Sequence, residues 1–121
     1  MKMMQPTIIY KPYTIVVVPF PFTDQNKFKK RPALVISSSD YQKQTQHVTL
    51  AMITTAKHSH WLNDQPIIDW EKTGLPFPSI IRQKIFTIDL KLIIKALGEL
   101  SPQDKTSIRQ QITTHLLLNE D

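Results

Sequence analysis

The chain has 121 residues, 40% hydrophobic and 21% charged, which fits one globular domain with a modest core and excludes a disordered chain. It has no cysteine, so disulfides and thiolate zinc centres are excluded and a cytoplasmic setting is the natural expectation. A formal net charge of +5 points to an anionic partner without choosing between nucleic acid and an acidic protein segment.

Met1 to Pro6 is not followed by a signal-peptide core, and residues 1–12 read as an N-terminal arm on a single domain spanning 1–121. The best apolar run, Ile15 to Phe22, contains two prolines and is far shorter than the roughly 20 residues of a membrane helix. Short runs rich in Val, Ile, Thr and aromatic residues predict strands at Tyr13–Pro19, Ala33–Ser38, Val48–Thr54, Pro66–Trp70, Ser79–Gln83 and Ile94–Leu100. With two glycines in the chain, the turns rest on Asp24, Asn26, Asn63, Asp64 and the prolines. A helix is predicted over 101–118: Ser101 is an N-cap, Pro102 suits the first helical position and Asp104 suits the positive end of the dipole. Ile108, Ile112 and Leu116 repeat every four residues as its packing stripe. Together these elements predict a mainly β fold, a strongly curved or barrel-like sheet carrying one C-terminal helix.

The stretch VVVPFPFTDQNKFKKRPALVIS, Val16 to Ser37, carries the first chemical signal. Pro19 and Pro21 lack their N–H groups on the same edge of an extended strand, so a ladder on that edge must stop or bulge. Pro32 restricts Arg31 to extended geometry, and a guanidinium on a preset backbone suits bidentate phosphate recognition. Lys27, Lys29 and Lys30 beside it are either a phosphate-attracting cluster or a solvated loop.

The segments VVVPFPFTD, KKRPALVIS, LAMITT, DWEKTGLPFPSIIRQKIFTID and LGELS, in that order, resemble the PemK/MazF family of toxin endoribonucleases. The resemblance runs from about Tyr13 to the C-terminal helix. It implies a small SH3-like antiparallel barrel of the type shared by MazF and CcdB toxins. It also implies a homodimer that cleaves single-stranded RNA without a metal or other cofactor, and a cognate antitoxin whose C-terminal segment covers the active surface. By motif, Arg31 and Thr54 are the catalytic positions and Ser79 is a substrate contact. The family usually opens its first strand with glycine and an acidic residue, where this chain has Tyr13-Thr14, and its first loop often contains a glycine that is missing here.

On chemical grounds Arg31 meets charge on phosphate, because arginine stays protonated, and Thr54 offers a hydroxyl to a phosphate oxygen or to the 2′-oxygen. Without the resemblance, Thr54 reads equally as a β-branched strand residue. His58 and His60 are candidates for proton transfer or RNA contact, or are plain surface histidines; with no third ligand evident, a metal site is not expected. Trp61 either stacks on a base or anchors its loop to the core, and Trp70 reads as core. The competing function is a non-catalytic barrel dimer that grips RNA or poisons another protein, as gyrase-poisoning relatives of the fold do. A generic SH3-like adaptor is weaker still, since no aromatic peptide groove is evident.

Overall fold

The computed structural model describes residues 8–20, 29–55 and 60–117. Strands β1 (Thr14–Phe20), β2 (Lys29–Val35), β3 (His47–Thr55), β4 (Gln65–Pro66), β5 (Ser79–Asp89) and β6 (Lys95–Glu99) form one six-stranded sheet. Their order is β4-β5-β3-β2-β1-β6 and every pairing is antiparallel. Two helices, α1 (Ser39–Thr45) and α2 (Pro102–His115), complete the fold. The mainly β architecture with a C-terminal helix is as expected.

Continuous apolar runs in β1 and β2 mark strands covered on both faces. Ile15, Leu34, Ala51, Ile53 and Ile81 face one cluster, closed by Leu100 and by Ile108 of α2. Val16, Val18, Ala33, Val35, Val48 and Leu50 face the other, with Ile88 and Leu90. Each fully buried Ile or Leu contributes about 1.5–3 kcal/mol, so these alternating pairs lock the register against a one-residue slip.

The connection after β4 crosses to the far end of the sheet, where Thr73 and Gly74 lie on Leu97 and Gly98 of β6, and the sheet curls into a half-barrel. The only two glycines of the chain meet at this crossing. A Cβ on Gly98 would stand 2.5 Å from the Thr73 carbonyl oxygen, and one on Gly74, at φ +86°, would stand 2.8 Å from that of Leu97. Gly98→Ala is therefore expected to cost about 1–3 kcal/mol through overpacking. Thermal denaturation checks this, and an unchanged midpoint would mean the two backbones part without penalty.

Several boundaries differ from those expected, each for a local reason. Tyr13 takes φ 73° and so stands outside β1. β2 begins at Lys29 and ends at Val35, so Arg31 lies inside the strand and not at its entrance. β3 is longer by one residue at each end than Val48–Thr54, and β6 is shorter at each end than Ile94–Leu100. Where a strand was expected at Pro66–Trp70, only Gln65–Pro66 pairs, and Trp70 opens a 3₁₀ turn (Trp70–Lys72) half-buried against the first cluster. Asp104 explains this: its carboxylate accepts from the backbone N–H groups of Ile68 and Asp69, both at 2.9 Å, and takes them from any ladder.

β5 runs to Asp89, well past Gln83, because Gln83 and Lys84 form an out-of-register bulge after which pairing with β3 resumes. The helix α1 was not expected. It has no apolar periodicity, but Ser38 caps it by accepting from the Tyr41 N–H, and Gln46 ends it at φ 58°. Its buried Gln42 accepts from the Tyr10 N–H and donates to the Tyr10 and Ser37 carbonyls, which fixes Tyr10 against α1. Burial raises the pKa of the Tyr10 hydroxyl.

α2 starts as expected, with Ser101 accepting from the Asp104 N–H and Pro102 in the first turn. It ends at His115, three residues early. Ile108 is buried and Ile112 half-buried, but Leu116 is the exposed C-cap residue, so the packing stripe is two residues long. Among the described residues no helix is long and apolar enough to cross a membrane.

Candidate functional site

Two prolines decide where the sheet opens. The Ile94 N–H donates to the Val17 carbonyl, so alternate residues of β1 from Val17 onward direct their backbone groups at β6. The next such residue is Pro19, which has no N–H, and the β1–β6 ladder stops at Val17 while β1 stays paired to β2 through Phe20. Pro21 lies outside the described residues.

The same logic holds in β2. Ile36 donates to the Thr49 carbonyl, which aims Leu34 and Pro32 at β3. Pro32 has nothing to donate, and pairing with β3 is confined to Ala33–Val35. Continuing that register two residues past Ala33↔Met52 sets Arg31 opposite Thr54 where the ladder has ended. The strands part there, and the two side chains expected from motif stand across the gap.

A pocket of about 440 Å³ occupies this opening, within the about 300–1,000 Å³ of typical ligand sites. Val17, Pro32, Ile53, Leu75 and Leu97 give it an apolar floor, and Thr54, Thr55 and Ser79 add hydroxyls. Lys30, Arg31 and Lys95 are its charged lining residues; among the described residues no carboxylate or imidazole lines it. Among the described residues none of these three cations is ion-paired. A water-poor floor beneath unpaired cations raises the local positive potential and favours an anion with an apolar or aromatic part.

The structure thus brings Arg31, Thr54, Lys30 and Ser79 to one pocket. Ser79 is buried and its hydroxyl donates to the Phe77 carbonyl at 2.8 Å, so it also holds the turn that forms one wall. Lys29 is exposed in β2, next to the lining but outside it, and His60 is exposed and not in the lining. His58 and Lys27 lie outside the described residues. No group of three or more His, Cys, Asp or Glu side chains that could hold a metal ion occurs among the described residues.

Trp61 is not a core anchor. The residue is 46% exposed, with the Lys84 ammonium 4.5 Å above its ring. Its loop is held by Asp64, which accepts from the Trp61 N–H and forms a bidentate pair with Arg82 at 3.2 and 2.9 Å. Hydrogen bonding to Asp64 raises the Arg82 pKa, and this arginine is outside the pocket lining.

Lys95, Thr55 and Phe77 also line the pocket, and the motif assigns a role to none of them. A signal for Phe77 exists, since an aromatic between Pro76 and Pro78 is hard to bury in a strand. Lys95 carries none, because its place depends on β6 pairing with β1.

The sequence pattern of PemK-like, MazF-like toxins of type II toxin-antitoxin systems matches residues 11–116. The chain belongs to this family. No curated protein matches it at a significant level. Among solved structures, a MazE–MazF complex from Deinococcus radiodurans is 16% identical, covering 94% of this chain and 99% of its own, with a TM-score of 0.69. The toxin MazF-mt6 of Mycobacterium tuberculosis is 20% identical over 84% of this chain and 93% of its own, with a TM-score of 0.66. An endoribonuclease from a mycobacterial species, in complex with its cognate antitoxin, is 15% identical over 88% and 91%, at 0.67. At these identities the likeness is one of fold. Family membership gives Tyr13 a meaning: at φ 73° it holds a left-handed backbone where PemK/MazF sequences usually carry glycine. Here the Tyr13 ring packs against the first cluster, with the Lys105 ammonium 6.0 Å from its centroid.

Proposed function

We propose that this PemK/MazF-family toxin is an endoribonuclease that cleaves single-stranded RNA, mRNA in the cytoplasm, without a metal ion. The observation that carries the reading is the Arg31–Thr54 pair, set across the parted β2 and β3 in a pocket that three cations line. In this reaction the 2′-oxygen attacks phosphorus and the phosphorus–5′-oxygen bond breaks. The 2′-hydroxyl proton is lost, the 5′-oxygen takes one up, and a 2′,3′-cyclic phosphate remains. Arg31 meets the charge that builds on the non-bridging oxygens, with Lys30 beside it. Thr54 holds the phosphate or the 2′-oxygen in line for attack. The pH–rate profile identifies the proton carrier.

The experiment is incubation of purified protein with single-stranded RNA in EDTA. Discrete fragments ending in cyclic phosphate are expected, and a 2′-deoxy residue at the cut position blocks the reaction. Cleavage that requires added metal, or that proceeds on the deoxy substrate, overturns the mechanism. Binding without cleavage favours the non-catalytic reading. His60→Gln should change the rate by less than about 2-fold, as its place outside the pocket requires.

The toxin acts as a homodimer, and its partner is an antitoxin with an acidic C-terminal segment whose carboxylates occupy the cationic pocket in place of phosphates. The antitoxin complexes among the fold relatives and the three cations that line the pocket support this. Reversing Lys29 and Lys30 to Glu should slow association of RNA and antitoxin alike, and more so at low salt. Saturating antitoxin that leaves RNA bound at full affinity would end the shared-surface idea. Light scattering that finds only the monomer mass would end the dimer.

A further inference from the structure

The pocket wall has two parts that the Arg31–Thr54 chemistry does not use. The first is Phe77, 61% exposed at the pocket, a large apolar ring left in water. It lies in Pro76-Phe77-Pro78, so its own backbone and that of its predecessor are restricted by the prolines that follow and precede it. The Ser79 hydroxyl holds the Phe77 carbonyl, and the same connection is seated on β6 through Gly74 and Leu97. An aromatic ring displayed on a backbone fixed at this many points loses little entropy when a flat ligand stacks on it.

The second part is Lys95. It pairs with Val17, which in turn pairs with Pro32, so the three stand in one row across β6, β1 and β2. Val17 and Pro32 are floor residues, and in this row Lys95 supplies a cation beside them. It reaches the pocket from the side opposite the Thr54 strand.

We propose that Phe77 and Lys95 form a nucleotide subsite adjoining Arg31 and Thr54, in which the Phe77 ring stacks on an unpaired base and the Lys95 ammonium contacts a backbone phosphate. This rests on the nucleic-acid reading given above and adds to it two residues that the family motif does not assign. An apolar floor, one displayed ring and cations on both sides match a nucleotide, whose base is flat and apolar and whose phosphate is anionic. Base stacking is tolerant of sequence, so the subsite sets affinity and position rather than identity of the base.

The test uses a non-cleavable 2′-O-methyl single-stranded oligonucleotide for binding across a salt series, and cleavable RNA of the same sequence for kcat/KM. Phe77→Ala is expected to weaken binding about 10-fold with the salt slope unchanged, and Phe77→Leu not to restore it. Lys95→Gln should weaken binding and lower the salt slope by about 0.7, the share of one phosphate contact on a single strand, with Lys95→Arg restoring both. Thermal midpoints of all four variants should match wild type, since both side chains are exposed. Wild-type affinity in Phe77→Ala, or an unchanged salt slope in Lys95→Gln, in a protein that still cleaves RNA overturns the subsite and leaves the nuclease reading in place. The expected losses in a protein that binds but does not cleave uphold the subsite and overturn the nuclease reading. If the variants lose only affinity for an acidic peptide and none for the oligonucleotide, the wall is a protein contact and the proposal falls.

Discussion

Arg31→Ala is expected to lower the rate of RNA cleavage by about 100-fold or more, the loss that follows removal of a donor aimed at charge developing in a transition state. The fold should not notice. Arg31 is exposed in β2, and its backbone pairing with Val18 survives truncation of the side chain. A midpoint of unfolding within a degree or so of wild type is the control, in line with about ±0.5 kcal/mol for surface substitutions. Arg31→Lys keeps the charge but loses the two parallel donors, so it should recover only part of the rate. Thr54→Ala should impair cleavage on the same stable scaffold. Full activity in both Ala variants would mean that the pair across the parted strands is a coincidence of register and that the chemistry lies elsewhere.

The largest effect on stability is expected at Asp104. This carboxylate is 1% exposed and closes three segments at once. It accepts from the Ile68 and Asp69 amides, lies 3.2 Å from the Ser101 hydroxyl, and its own N–H donates back to Ser101 at the start of α2. Asp104→Ala leaves two backbone donors without an acceptor in a partly buried place and loosens the helix from the connection that forms the pocket wall. Hydrogen bonds to a charged group contribute about 1.5–3 kcal/mol each, so a loss of about 3–5 kcal/mol is expected. In a domain of this size that is a large part of the whole. Asp104→Asn keeps one acceptor and turns a donor toward the second amide, so it should be intermediate. Denaturant unfolding measures the series. A loss below about 1 kcal/mol for the alanine variant would show that water replaces the carboxylate.

Much of the site is legible in the sequence. Arg31 is marked by Pro32, and the missing N–H of Pro32 is also what ends the β2–β3 ladder, so one residue is both the sequence signal and the physical cause of the opening. Thr54 was legible only by resemblance, since a β-branched residue closing an apolar strand has an ordinary explanation. Asp104 shows the opposite case. Its position at the head of α2 was readable as a helix-dipole partner, whereas its reach to Ile68 and Asp69, 36 and 35 residues away, was not. The strand expected across those two residues rests on the apolar content of Pro66–Trp70, which says nothing of Asp104.

Local chemistry alone accounts for the mainly β class, the capped start of α2 and the preset Arg31. Each depends on a few neighbouring residues: a cap, a proline, or an apolar run covered on both faces. Which strands neighbour one another, that the bulge at Gln83 and Lys84 lets β5 continue to Asp89, and that Lys95 and Phe77 meet at the pocket depend on contacts between distant segments. Those contacts are set by packing the two apolar faces simultaneously and by the close approach of Gly74 to Leu97 of β6 and of Gly98 to Thr73, conditions that no short window of sequence contains.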